Sequence, residues 1–125
     1  MNFLHLKNGL REIVNNYEIF SIDLWGVVHN GESLHSAAIE VLDNLKKENK
    51  RFILMTNAPR TRKSVANFLS KLNFNENYYK NIFTSGDAAL NSLRLNSHGK
   101  SFYHLGPKRD VDLFIEFKEL SLIHI

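Results

Sequence analysis

A chain of 125 residues, 43% apolar and 23% charged, fits one compact domain and excludes a disordered segment, a multidomain assembly or a barrel-sized enzyme. Sixteen Lys and Arg against thirteen Asp and Glu leave a net charge of +3. With no polybasic tail, bulk charge gives no reason to expect nucleic acid. There is no Cys, so disulfide scaffolds, thiolate zinc sites and cysteine nucleophiles are ruled out. No apolar run is long enough for a bilayer and no signal-peptide core is present, so the expected setting is the cytoplasm, with no membrane partner.

Leu6, Leu10, Ile13, Val14 and Tyr17 recur at helical spacing, which predicts an amphipathic helix over residues 3–16, weakened at Gly9. Residues 19–22 then read as a short, nearly continuous apolar run that suits a buried parallel strand ending at Asp23. Residues 25–32 form a loop with Gly26 and Gly31 near its ends. Ala38, Val41, Leu42 and Leu45 predict the next helix, capped by Ser33 or Ser36, with Lys46, Lys47 and Lys50 at its C-terminus where the macrodipole favours cations. Residues 52–55 read as a second buried strand, broken by Thr56-Asn57-Ala58-Pro59. Val65, Phe68, Leu69 and Leu72 mark a second helix. A third strand over 81–83 leads through Thr84-Ser85-Gly86 into a helix over about 86–96. A fourth strand is expected at 101–105, a helix from Asp110 to Lys118, and the start of a fifth strand at Leu122 and Ile123.

Strand and helix alternating in this way predict an α/β fold with a parallel sheet and right-handed crossovers. Ligands in such folds bind beyond the C-terminal ends of the strands. Asp23 stands at such an end. It is either a nucleophile or Mg²⁺ ligand held on a rigid element, or a carboxylate that caps a turn. Thr56 and Asn57 end the second strand, where a hydroxyl and loop N–H groups suit an oxyanion; the alternative is a turn with a helix cap. Arg60, Arg62 and Lys63 crowd the start of the following helix, where the dipole disfavours each cation by about 0.3–1 kcal/mol. They make either an electropositive mouth for an anionic ligand or a solvated basic face. Thr84-Ser85-Gly86-Asp87 favours an N-cap, and Gly106-Pro107-Lys108-Arg109 a turn.

The six histidines show no metal-ligand spacing. No phosphate-binding GxxxxGK[ST] loop, GxGxxG fingerprint or GxSxG elbow occurs. The aromatic residues are not interleaved with bases as a stacking surface for single strands requires.

Four blocks together resemble the haloacid-dehalogenase-like (HAD) superfamily. They are residues 22–31 around Asp23-Leu24-Trp25-Gly26-Val27, residues 54–60 around Thr56-Asn57-Ala58-Pro59-Arg60, residues 83–89 and residues 103–107. The nearest likeness is to subclass IIA, which holds sugar-phosphate and nucleotide phosphatases, and within it to an uncharacterised bacterial branch with the Asp-x-Trp-Gly-Val and Thr-Asn-Ala-Pro-Arg motifs. The resemblance implies a Rossmann-like parallel sheet with flanking helices, here incomplete, with a partial core over 1–87 and the start of a cap over 88–125. It implies that Asp23 is the nucleophile and a Mg²⁺ ligand, that the Trp25 backbone carbonyl is a second Mg²⁺ contact, and that Thr56, the Asn57 N–H and Arg60 hold the phosphate. Phosphatases of the superfamily carry a second Asp two residues after the nucleophile as general acid and base. Here that position is Trp25, whose indole N–H has no accessible acid–base chemistry near neutral pH. The later Lys and acidic Mg²⁺-binding pair of the family fall beyond the last residue, and Asp110 and Asp112 match that pair in composition only.

The expected function is therefore a truncated hydrolase of the phosphatase lineage, inactive alone. One alternative is the N-terminal chain of a split Mg²⁺-dependent phosphatase or phosphotransferase acting on a small phosphorylated metabolite. Another is a phosphate-binding α/β module without catalysis. A receiver domain fits less well, because receivers cluster acids after the first strand and here Asp23 stands alone. Strands missing beside the first one would leave its edge open, so self-association or a complementary C-terminal chain is expected.

Overall fold

The computed structural model describes residues 9–96, 99, 101–107, 110 and 113–117. Three strands, β1 (Ile19–Asp23), β2 (Arg51–Thr56) and β3 (Ile82–Thr84), form one parallel sheet in the order β1-β2-β3. Three helices, α1 (Ser36–Lys47), α2 (Arg62–Lys71) and α3 (Ser85–Arg94), alternate with them. The chain packs as two compact units, Met1–Leu54 and Met55–Ile125.

In the first unit the core is Leu24, Val28, Leu42, Leu45, Phe52 and Leu54. Leu42 and Leu45 carry the buried stripe of α1 predicted from the spacing. The helix is capped by His35 rather than Ser33 or Ser36, with no side-chain cap bond. The helix expected over 3–16 is absent from the described part of that range, and residues 3–8 lie outside the described residues. Residues Gly9–Glu12 and Val14–Asn16 are short 3₁₀ turns, and Gly9 has φ +74°. The apolar spacing still serves packing: Leu10 and Val14 line a groove with Ala37, Val41 and Leu45 of α1. The strand β1 is not buried as its composition suggested. Its residues alternate between exposed and half-buried, with Ile19 53% exposed, and among the described residues β1 is an edge strand of the sheet.

In the second unit Val65, Ala66 and Leu69 of α2 pack with Phe74, Tyr78, Ile82 and Leu90. A 3₁₀ turn, Glu76–Asn81, leads into β3. The expected fourth strand does not form. Residues 101–107 carry no strand pairing; Phe102, Tyr103 and His104 line a groove with Ala89 and Leu93 of α3, and Tyr103 and Leu105 are largely exposed. His104 packs on Phe114 with ring centroids 4.7 Å apart. Asp110, Leu113 and Phe114 lie in 3₁₀ turns rather than an α-helix. Lys108, Arg109, Asp112, Lys118, Leu122 and Ile123 lie outside the described residues.

All three helices end on an asparagine in the left-handed region: Asn49 (φ 56°), Asn73 (φ 61°) and Asn96 (φ 51°). At the end of α1, Asn49 N–H donates to Lys46 O (3.1 Å) and Lys50 N–H to Leu45 O (2.8 Å). At the end of α2, Asn73 N–H donates to Ser70 O (3.0 Å) and Phe74 N–H to Leu69 O (3.1 Å). Both are Schellman closures, in which Asn tolerates the conformation usually left to Gly. Among the described residues no helix is long and apolar enough to cross a membrane.

Candidate functional site

The first cluster is the loop that leaves β1. Leu24 is its anchor, 1% exposed. The Leu24 carbonyl accepts from Val27 N–H (3.4 Å), Val28 N–H (2.9 Å) and His29 N–H (3.1 Å), so the loop winds around one oxygen. Gly26, with φ +77°, makes that reversal, and its N–H donates to His29 O at 2.7 Å. Asn30 Oδ1 accepts from Glu32 N–H (2.9 Å) and Ser33 N–H (2.8 Å), which closes the far side of the loop. Asp23 and Trp25 flank the buried Leu24 and are both exposed. Asp23 Oδ1 accepts from Leu24 N–H at 2.8 Å. That bond holds the carboxylate through Oδ1 and leaves Oδ2 for another partner.

Trp25 is 62% exposed, yet its ring is held. The indole meets the His29 ring edge to face, with centroids 5.4 Å apart at 88°. A Cβ placed on Gly31 would lie 2.7 Å from the indole Cη2, so the ring rests directly on that glycine. His29 is buried and its Nδ1 accepts from Gly31 N–H at 3.1 Å. Burial lowers the pKa of His29, the nearby His35 lowers it further, and the Asp23 carboxylate opposes both.

The second cluster lies where β2 and β3 end, wholly within the second unit. Thr56 Oγ1 accepts from Ala58 N–H at 3.2 Å, which orients the hydroxyl and keeps its hydrogen for another acceptor. Ser85 at the start of α3 shares its hydroxyl hydrogen between Asn57 O and Ala58 O, both at 2.9 Å. Gly86 N–H also donates to Ala58 O, at 3.2 Å. Gly86 is buried against Arg60, where any Cβ would overlap the Arg60 backbone. Thr61 caps α2 by accepting from Ser64 N–H (3.2 Å), and Thr84 caps α3 by accepting from Asp87 N–H (2.9 Å).

Arg60 precedes the Thr61 cap and so lies outside α2; only Arg62 and Lys63 of the three bases stand in its first turn. Arg62 does not belong to an open cationic mouth. Its N–H donates to Asp87 Oδ2 at 3.0 Å, its Nε lies 3.8 Å from the same oxygen, and its guanidinium sits 5.8 Å over the Phe83 ring. Asp87, read from the sequence only as part of a cap, supplies the anion that the N-terminus of α2 favours. Acid at the start of α3, 25 residues along the chain, leaves no local signal in the sequence around α2.

Among the described residues no group of three or more His, Asp or Glu could hold a metal ion. Asp23 Oδ2 and a backbone carbonyl at Trp25 are hard oxygen donors of the kind Mg²⁺ takes. They fit part of such an ion's ligand set, with water or a phosphate oxygen needed for the rest.

The chain is similar to a haloacid dehalogenase-like family hydrolase from Brucella suis, with 31% identity and a TM-score of 0.78 over 95% of this chain. It is also similar in fold to a 4-nitrophenylphosphatase from Thermotoga maritima (24% identity, TM-score 0.62, 84% of this chain). A third similar structure is a glycerol phosphate phosphatase from Mycobacterium tuberculosis in complex with magnesium (23% identity, TM-score 0.61, 89% of this chain). The chain spans 44%, 40% and 33% of these three proteins, respectively. No curated protein matches it. The model of the haloacid dehalogenase-like hydrolase family matches residues 20–118, and the chain belongs to that family.

Proposed function

We propose that this chain binds a phosphate monoester as a member of the phosphatase lineage and does not turn it over by itself. The observation that carries the reading is Trp25. An exposed indole braced by Gly31 and His29 stands two residues after Asp23. It can neither protonate a leaving group nor activate water. Asp23 is the carboxylate for nucleophilic attack, held by Leu24 N–H. The Thr56 hydroxyl, the Asn57 N–H and the Arg60 side chain hold phosphoryl oxygens. Mg²⁺ is the cofactor we assign, with Asp23 and the Trp25 carbonyl as this chain's ligands; when bound it neutralises charge on the phosphoryl oxygens. Residues 1–87 form the partial core and 88–125 begin a cap, in a cytoplasmic setting.

The test is Mg²⁺-dependent hydrolysis of 4-nitrophenyl phosphate beside calorimetric binding of inorganic phosphate. The expected result is no turnover, with phosphate binding weakened in Thr56→Ala and Arg60→Ala. Turnover that disappears in Asp23→Asn would overturn the inactive reading.

A second reading keeps the enzyme and completes it with a partner chain. Among the described residues β1 is the outer strand of the sheet and Ile19 is exposed, which favours it, since an apolar outer strand invites another strand. Self-association is the competing outcome. Sedimentation of the purified chain should show a concentration-dependent mass, and a single monomeric species across the range would remove this reading.

A further inference from the structure

We propose that Trp25 is a stacking surface for a planar aromatic group carried by the phosphate ester, which makes this residue the specificity determinant of the site. The inference rests on the phosphate-binding reading above and adds the chemical class of the organic part.

Three observations carry it. First, the loop after β1 buries Leu24 (1% exposed) and Val28 (0%), while Val27 is 47% exposed and Trp25, the largest side chain of the loop, is 62% exposed. A tryptophan offers the largest apolar area of any side chain, so a loop able to bury Leu24 and Val28 but not Trp25 places the indole outward. Second, the exposed ring is fixed. Gly31, at φ +97°, leaves room where a Cβ would lie 2.7 Å from the indole, and the His29 ring supports it at 88°. A surface ordered beforehand loses little entropy when a ligand stacks on it. Third, Asp23 and Trp25 are both exposed on either side of the buried Leu24. Two residues span at most about 7 Å of chain, so the indole stands within reach of the organic group of a ligand whose phosphorus is engaged beside Asp23. What the ring lacks in proton chemistry it has in π surface, and stacking tolerates any planar aromatic partner.

The experiment compares two ligands of the full chain that differ only in the group on phosphorus, phenylphosphonate and methylphosphonate, by calorimetry in Mg²⁺ buffer. Phenylphosphonate should bind about tenfold more tightly, within the range that single aromatic stacking contacts give. Trp25→Ala should erase that preference, bringing the two affinities together, and Trp25→Phe should keep most of it. Trp25 is the sole tryptophan, so its fluorescence should shift with phenylphosphonate and not with methylphosphonate. Equal affinity for the two ligands, still weakened by Thr56→Ala, overturns the stacking role and leaves phosphate binding standing. Binding of neither ligand overturns both readings. Loss of both ligands in Trp25→Ala means the indole only supports the loop. Self-association that Trp25→Ala abolishes and phenylphosphonate does not displace makes the indole a protein contact and also overturns the proposal.

Discussion

The loop after β1 and the junction after β2 and β3 meet one requirement, a rigid strand end that presents polar groups, by opposite means. The first is built from backbone and apolar anchors. One carbonyl, that of Leu24, gathers three N–H groups around a buried side chain, and glycines at positive φ make the reversals. The second is built from side-chain hydroxyls. Thr56, Thr61, Thr84 and Ser85 each bond to backbone a few residues or many residues away. The difference teaches what each can tolerate: the first is sensitive to backbone conformation, the second to single polar deletions and to the close seat of Gly86.

The largest effect that can break this comparison is expected from Gly86→Ala. Helix propensity favours Ala by about 0.8–1 kcal/mol, but the new Cβ would meet Arg60 backbone, which cannot move aside as a flexible side chain could. Overpacking of about 1–3 kcal/mol or more should win, and urea unfolding should show a net loss of about 1–2 kcal/mol. Gly26→Ala meets no atom within 4 Å, but Gly26 has φ +77°. Its cost is conformational alone, about 1 kcal/mol, read in the same way. If Gly26→Ala proves the more damaging of the two, the roles assigned to the two regions are reversed. Ser85→Ala removes the shared bond to Asn57 O and Ala58 O and should cost about 0.5–1.5 kcal/mol. No change in the unfolding midpoint would show that Gly86 alone holds the junction.

The smallest expected effect is a pH dependence confined to the first region. His29 titrates below its ordinary value of 6.5 in the folded chain, so the unfolded chain takes up its proton first. The stability contributed is complete above 6.5 and is lost as pH falls through the folded value. Urea midpoints measured downward from pH 7.5 should therefore decline, and His29→Gln should flatten that decline. An unchanged slope in the variant would assign the dependence to another group.

Much of the fold was legible. The apolar stripes of α1 and α2 follow from Leu42 and Leu45 and from Val65 and Leu69, and β1 and β2 end at Asp23 and Thr56 as the motifs required. Two elements differ from the reading of the sequence. The apolar spacing over residues 10–14 suits a helix, but spacing records which side chains face a neighbour, not which backbone carries them, and residues 101–105 form no strand. In both places the neighbour is a helix, α1 or α3. The three asparagines that close α1, α2 and α3 carry a local signal: each stands two places after the last helical residue, where a left-handed residue is expected.

The sequence by itself determined the family, the order of strands and helices, and the residues placed at the strand ends, because these depend on local pattern and on short motifs. Tertiary structure alone decided three things. It exposed β1 as an edge, it paired Arg62 with Asp87, and it set the Trp25 indole on Gly31 against His29. The first depends on which strands find neighbours, the second on a carboxylate 25 residues away, and the third on a seat that exists only once the loop has closed around Leu24. Contacts of that kind have no period and no motif, so they appear only when the chain is folded.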